Sequence, residues 1–144
     1  MLKQICDVLT ALRQYLHQAH LCARDKGYAA HLLLNDIYDR VSEDIDRLKE
    51  LAIGQSGDAS IADAETSLTG ALQYIRALEP TSDFSQMLKN CLVLEQTADE
   101  LLQRGIVFYT ENSGPFVQGI LNALGDIDER RLKEVYLIRT EVSK

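Results

Sequence analysis

Apolar residues recur along most of the chain at steps of three and four, the period that lines one face of an α-helix. In the first segment, Leu2 to about Arg24, the rhythm is carried by Ile5, Leu9, Leu12, Leu16 and Ala19. Lys26-Gly27 interrupts it, as a glycine at a helix C-terminus would. The second segment, Tyr28 to Ile53, places Leu34, Ile37, Val41, Ile45, Leu48 and Ala52 on one stripe, and stops at Gly54 before a Gln55-Ser56-Gly57 loop. The third, Asp58 to Glu79, is less regular, and its Ala62, Leu68, Leu72 and Ile75 predict one or two shorter helices. Pro80-Thr81-Ser82-Asp83 then reads as a stop followed by an N-cap cluster. The fourth segment, Phe84 to about Tyr109, carries Leu88, Leu92, Leu94, Leu101 and Leu102. After a break at Asn112-Ser113-Gly114, Pro115 suits the first turn of the fifth segment, Phe116 to Val142, with Ile120, Leu124, Ile127, Leu132 and Val135. The pattern therefore predicts four long helices of about 23 to 27 residues, each about 35–40 Å long. A shorter helix lies in the long crossover between the second and third of them, which describes an all-α four-helix bundle. No repeat, low-complexity tract or linker divides the chain, so residues 1–144 read as a single domain.

Composition agrees with that picture and narrows the partners. At 144 residues the chain can bury about two-thirds of its extended surface, so it needs no staple to fold. An apolar content of 46% excludes intrinsic disorder, and two prolines with eight glycines are too few turn residues for a β-sandwich. The net charge of −7 argues against nucleic acid as a partner and for cations. Neither end supplies a basic arm. Cys6, Cys22 and Cys91 are odd in number and form no CxxC, which argues against a disulfide framework or a zinc ribbon. They are expected to pack as small apolar side chains in a reducing cytoplasm. With no signal-type apolar segment and no apolar run near 18 residues, no membrane partner is expected.

Candidate chemistry is concentrated in the first third of the chain. The three histidines are His17, His20 and His31, and the second segment carries Asp36, Asp39, Glu43, Asp44, Asp46 and Glu50. Asp39, Glu43, Asp46 and Glu50 share one helix face opposite the Val41/Ile45/Leu48 stripe. Such a face is also what a solvated amphipathic helix presents. Asp46 and Glu50, one turn apart, could share a metal ion. His31 lies fifteen residues earlier, roughly 22 Å along the same helix axis, so it cannot join them within one chain. An antiparallel second copy related by a two-fold axis could bring it there and create two identical sites. Imidazole and carboxylate without thiolate suit iron or manganese, and zinc can use the same ligands.

The His31, Asp46 and Glu50 intervals resemble those of the Dps mini-ferritins, within the ferritin-like superfamily. The stretch from Ile37 to Asp46 looks like that family's LYDxVxExxD motif, and His20 with Lys26-Gly27 resembles its HWxVKGxxF turn. Ser85-Gln86-Met87-Leu88 matches where the family's third long helix begins, and Tyr136-Leu137-Ile138-Arg139 looks like its WMLR. The resemblance spans essentially the whole chain and implies a ferritin-like bundle assembled as a hollow dodecamer. It implies a ferroxidase-type oxidoreductase that oxidises ferrous iron, usually with hydrogen peroxide, at sites between two-fold-related subunits and stores ferric mineral inside. By the same resemblance His20 and His31 of one subunit would hold iron with Asp46 and Glu50 of its mate, and Asp36 would fall at a mineral-nucleation position. The chain departs from the family in several places. The two histidines stand one residue closer together, Leu21 and Tyr136 replace tryptophans, Leu51 replaces an arginine, and His17 is a rival ligand one turn before His20. The alternative reading is a ferritin-like bundle without efficient ferroxidation, serving as an assembly or interaction protein.

Overall fold

A computed structural model describes the backbone of residues 1–144 and every side chain except that of Arg24. The elements run α1 (Leu2–Cys22), a 3₁₀ turn (Ala23–Asp25), α2 (Tyr28–Ser56), a second 3₁₀ turn (Ala59–Ala62), α3 (Ala64–Arg76), α4 (Phe84–Glu111) and α5 (Val117–Val142). Among the described residues there is no strand, and no helix is long and apolar enough to cross a membrane. The all-helical architecture expected from the periodicity is what the chain adopts.

The helix starts are written in side chains. Asp63 begins α3 by accepting from the Thr66 backbone N–H at 2.9 Å. Asp83 begins α4 by accepting from Gln86 N–H at 2.8 Å, and its own N–H donates to Thr81 Oγ1 at 2.9 Å. Each cap satisfies a donor that the first turn leaves unpaired. The ends differ from expectation in three places. Helix α2 runs through Gly54 and stops only at Gly57, whose φ of 72° lets its N–H reach the Ile53 carbonyl. Gly27, with φ 100°, precedes α2 as its N-cap rather than closing α1, because the 3₁₀ turn at Ala23–Asp25 intervenes. Pro115 lies in a turn two residues ahead of α5, and Phe116 makes the entry with φ 68°.

α1 packs on α2, α3 and α4, while α5 packs on α4 and α2. The expected stripes of α1 and α2 are buried from Ile5 to Ala19 and from Leu34 to Leu48. They meet Leu88, Cys91, Ala98 and Leu102 of α4 and Ile120, Leu124, Ile127 and Ile138 of α5 in one core. Five expected positions fall elsewhere, among them Ala62, which is exposed in the second 3₁₀ turn. Leu68, Leu72 and Leu132 are exposed, because α3 turns Gly70 and Ala71 inward and α5 turns Arg131 and Glu134 inward. Cys22 is exposed at the end of α1, whereas Cys6 and Cys91 pack inside, as expected of small apolar side chains.

Candidate metal centre

His20 ends α1 and His31 opens α2, and the short turn between the helices brings the two rings together. Their centroids are 4.0 Å apart with planes inclined at 31°. His20 Nδ1 donates to the His31 carbonyl at 3.1 Å, and His31 Nδ1 donates to the His20 carbonyl at 3.3 Å. A carbonyl can only accept, so each Nδ1 carries a proton. In the neutral rings the lone pair therefore sits on Nε2, and neither Nε2 has a hydrogen-bond partner among the described residues. A ring anchored through Nδ1–H with a free Nε2 is the usual state of a metal-binding imidazole.

Both rings are half-buried. His31 lines a groove of about 360 Å³ together with Leu21, Gly27 and Tyr28. Leu21 and Tyr28 are 61% and 76% exposed, so the histidines sit in an uncovered apolar surface. His17 takes no part in the pair: it is exposed and lies against the Tyr38 ring, with centroids 5.4 Å apart.

The acidic residues lie further along α2. Asp36, Asp39, Glu43, Asp46 and Glu50 are all exposed, on the side away from buried Val41, Ile45 and Leu48. Asp46 and Glu50 make no ion pair with a described residue of their own chain. The continuous α2 holds Asp46 roughly 22 Å and Glu50 roughly 28 Å along its axis from His31, and no three His, Cys, Asp or Glu residues of one chain are grouped to hold a metal among the described residues. The structure thus unites His20 with His31 and leaves Asp46, Glu50 and Asp36 apart from them. The histidine pair joins the end of α1 to the start of α2, and the acidic residues follow along α2.

A second group of charged residues went unnoticed in the sequence. Asp44 of α2, Glu95 of α4 and Arg131 and Glu134 of α5 are each no more than 1% exposed. Arg131 donates to Glu95 at 3.2 Å, approaches Asp44 at 3.6 Å and pairs with Glu134. Two half-exposed arginines help from the rim, Arg130 on Asp44 and Arg40 on Glu134. Glu95 has Arg131 alone. Burial accordingly pushes the Glu95 carboxyl up to about 8 and that of Glu134 to about 7, against the opposing pull of Arg131. Burial raises Asp44 as well. The signal available in the sequence was register: Asp44 lies three residues after Val41 and four before Leu48, on the apolar stripe itself.

Comparison of the chain with protein-family models, curated proteins and solved structures found no match.

Proposed function

We propose that the chain is the subunit of a Dps-like, ferritin-like cage that captures ferrous iron between two-fold-related copies, oxidises it there and stores it as ferric mineral. The observation that carries this reading is the histidine pair: two imidazoles locked through Nδ1, with both Nε2 atoms free, in an apolar surface that nothing covers. Two neutral nitrogens are an incomplete site for a ferrous ion, which also favours anionic oxygen ligands. Asp46 and Glu50 supply such oxygens on the same helix, at a distance that only an antiparallel second copy can close.

In that arrangement each ferrous ion binds to His20 and His31 of one copy and to Asp46 and Glu50 of the other. Binding on two copies fixes the ion's position and supplies two negative charges, which favour the ferric state. Two ferrous ions each give one electron to hydrogen peroxide. The O–O bond breaks, leaving two ferric ions and two hydroxides. The ferric product leaves for the acidic wall, where Asp36 offers a nucleating carboxylate. Zinc and manganese compete for the same donors, and zinc, which has no redox chemistry, cannot reproduce the oxidation step.

Aerobic loading with ferrous iron, followed by size-exclusion chromatography that reads protein and iron together, tests the reading. Iron should co-elute with a particle of about twelve subunits. A cage that stays iron-free would favour the assembly protein without ferroxidation, and a small iron-free species would overturn the cage itself. Replacing both Asp46 and Glu50 with Ala should abolish rapid oxidation while leaving the helical content unchanged. Oxidation at the wild-type rate in that variant would remove these residues from the site.

A further inference from the structure

A groove of about 630 Å³ runs between α1, the end of α3 and the segment that joins α3 to α4. Neither His20 nor His31 lines it. Its size is that of a small-molecule pocket, about 300–1,000 Å³. Gln18 Nε2 donates to the Thr81 carbonyl at 3.2 Å, which ties the joining segment to α1 and fixes one wall. Ile75, Leu78 and Pro80 make that wall apolar, and Leu21 adds to it from α1.

Two polar groups stand in this groove without partners. Tyr15 is more than nine-tenths buried, 7% exposed, and its ring packs in the core. Its hydroxyl makes no hydrogen bond among the described residues, yet it is not one of the partnerless atoms sealed from solvent. The hydroxyl therefore opens where Tyr15 lines the groove. A buried tyrosine ordinarily finds a partner for its O–H, and here the partner has to come from outside the chain. Arg76, exposed in the last turn of α3, is the second group. It pairs with no acid among the described residues, not even Glu79 three positions on. No Asp or Glu lines the groove, although the chain has 22 of them against 15 lysines and arginines. An acid-free lining with a free guanidinium and a free hydroxyl attracts an anion. One permanent cation matches a single negative charge, and its planar fork matches a carboxylate. The apolar wall beside it suits a hydrocarbon body.

We propose that this groove binds a small organic monocarboxylate with an aliphatic body. The carboxylate sits on the Arg76 guanidinium and accepts from the Tyr15 hydroxyl, and the body lies against Leu21, Ile75, Leu78 and Pro80. Gln14, exposed on α1 one turn before Gln18, has an amide free to donate to the second carboxylate oxygen. The site is independent of the iron reading, since none of its ligand-binding groups belongs to the histidine pair or to the acids of α2.

The test is isothermal titration calorimetry of the full chain with sodium hexanoate, with 1-hexanol and hexylammonium chloride as controls. Hexanoate should bind saturably, and both controls should bind about tenfold more weakly or worse, as expected for loss of a charged hydrogen bond. Arg76→Gln changes an exposed residue and should weaken hexanoate binding about tenfold or more. Tyr15→Phe keeps the ring in the core, removes only the hydroxyl and should weaken it about threefold or more. Circular dichroism verifies that both variants are folded. Absence of saturable binding, a control binding as tightly as hexanoate, or wild-type affinity in both variants would each overturn the proposal. Size-exclusion chromatography with and without hexanoate identifies the occupant. An unchanged particle supports a free carboxylate in the groove. A particle that comes apart on hexanoate would assign the groove to a contact between copies and overturn the small-molecule site.

Discussion

Arg131 carries a full positive charge at a position 1% exposed, with three carboxylates around it. Arg130 and Arg40 reach Asp44 and Glu134 only from the half-exposed rim and Glu95 has Arg131 alone, so burial outweighs the cations and favours the protonated form of Glu95 and Glu134. Glu95 at about 8 and Glu134 at about 7 stand well above their ordinary value of 4.5. In the fold both remain protonated over a range where the unfolded chain would release them. The stability this confers is complete below pH 4.5 and is lost as the pH rises through 7 and 8. The melting temperature should therefore fall by several degrees between pH 6 and pH 9 (about 4–8 °C per kcal/mol in a small domain, somewhat less at this size). Glu95→Gln should flatten that fall, and a flat wild-type profile would contradict the raised acids. Arg131→Met sharpens the point. Removing one partner of a buried ion pair costs about 3–5 kcal/mol when the other stays charged. Above pH 8 the variant should lose stability of that order. At pH 6 the loss should be much smaller, because the abandoned carboxyls can take up protons.

Two helical glycines test how the elements fit together. A Cβ on Gly70 of α3 would collide with the carboxylate of Asp7, which is buried on the facing side of α1 and paired with Lys3 at 2.6 Å. A Cβ on Gly125 of α5 would meet nothing within 4 Å. Gly70→Ala should thus destabilise the chain by about 1–3 kcal/mol, and Gly125→Ala should stabilise it by about 0.5–1 kcal/mol. Denaturant titration of the two variants decides both. The same contrast shows what could be read in the sequence. Periodicity located every helix, because the apolar stripe is a property of the segment itself. It could not tell Gly54 from Gly57 as the end of α2, since that depends on which residue adopts a positive φ to reach Ile53. Nor could it tell that Leu68, Leu72 and Leu132 face outward, since a stripe does not say what covers it. The buried charges were hidden for the same reason. Register alone places Asp44 on the apolar stripe, but only the tertiary packing brings it together with Glu95 and Arg131, partners separated from it by dozens of residues. The histidines were legible as candidates through their intervals. The reciprocal bonds to each other's carbonyls were not, because they depend on the turn that joins α1 to α2.

At the scale of the whole molecule, the proposed function requires that each copy contribute half of two sites rather than one complete site. His20 and His31 lie at one end of α2 and Asp46 and Glu50 toward the other, and no rearrangement of a continuous helix can bring them together. If iron oxidation needs both halves, two kinds of defective subunit should rescue each other. A chain carrying His20→Ala and His31→Ala keeps its acids, and a chain carrying Asp46→Ala and Glu50→Ala keeps its histidines. Each alone should oxidise ferrous iron no faster than the uncatalysed reaction. When the two are unfolded together, mixed equally and reassembled, a site receives its histidines from one copy and its acids from another. Random pairing then leaves about a quarter of the sites with all four ligands intact. The mixed assembly should recover about that fraction of the wild-type initial rate, measured at equal subunit concentration. Mixing already assembled, non-exchanging particles should recover none. Recovery only after reassembly identifies a site shared between subunits, because a site within one chain would stay broken in both parents and in every mixture of them. A rate near zero in the reassembled mixture, from particles of wild-type size, would exclude this pairing of the two halves.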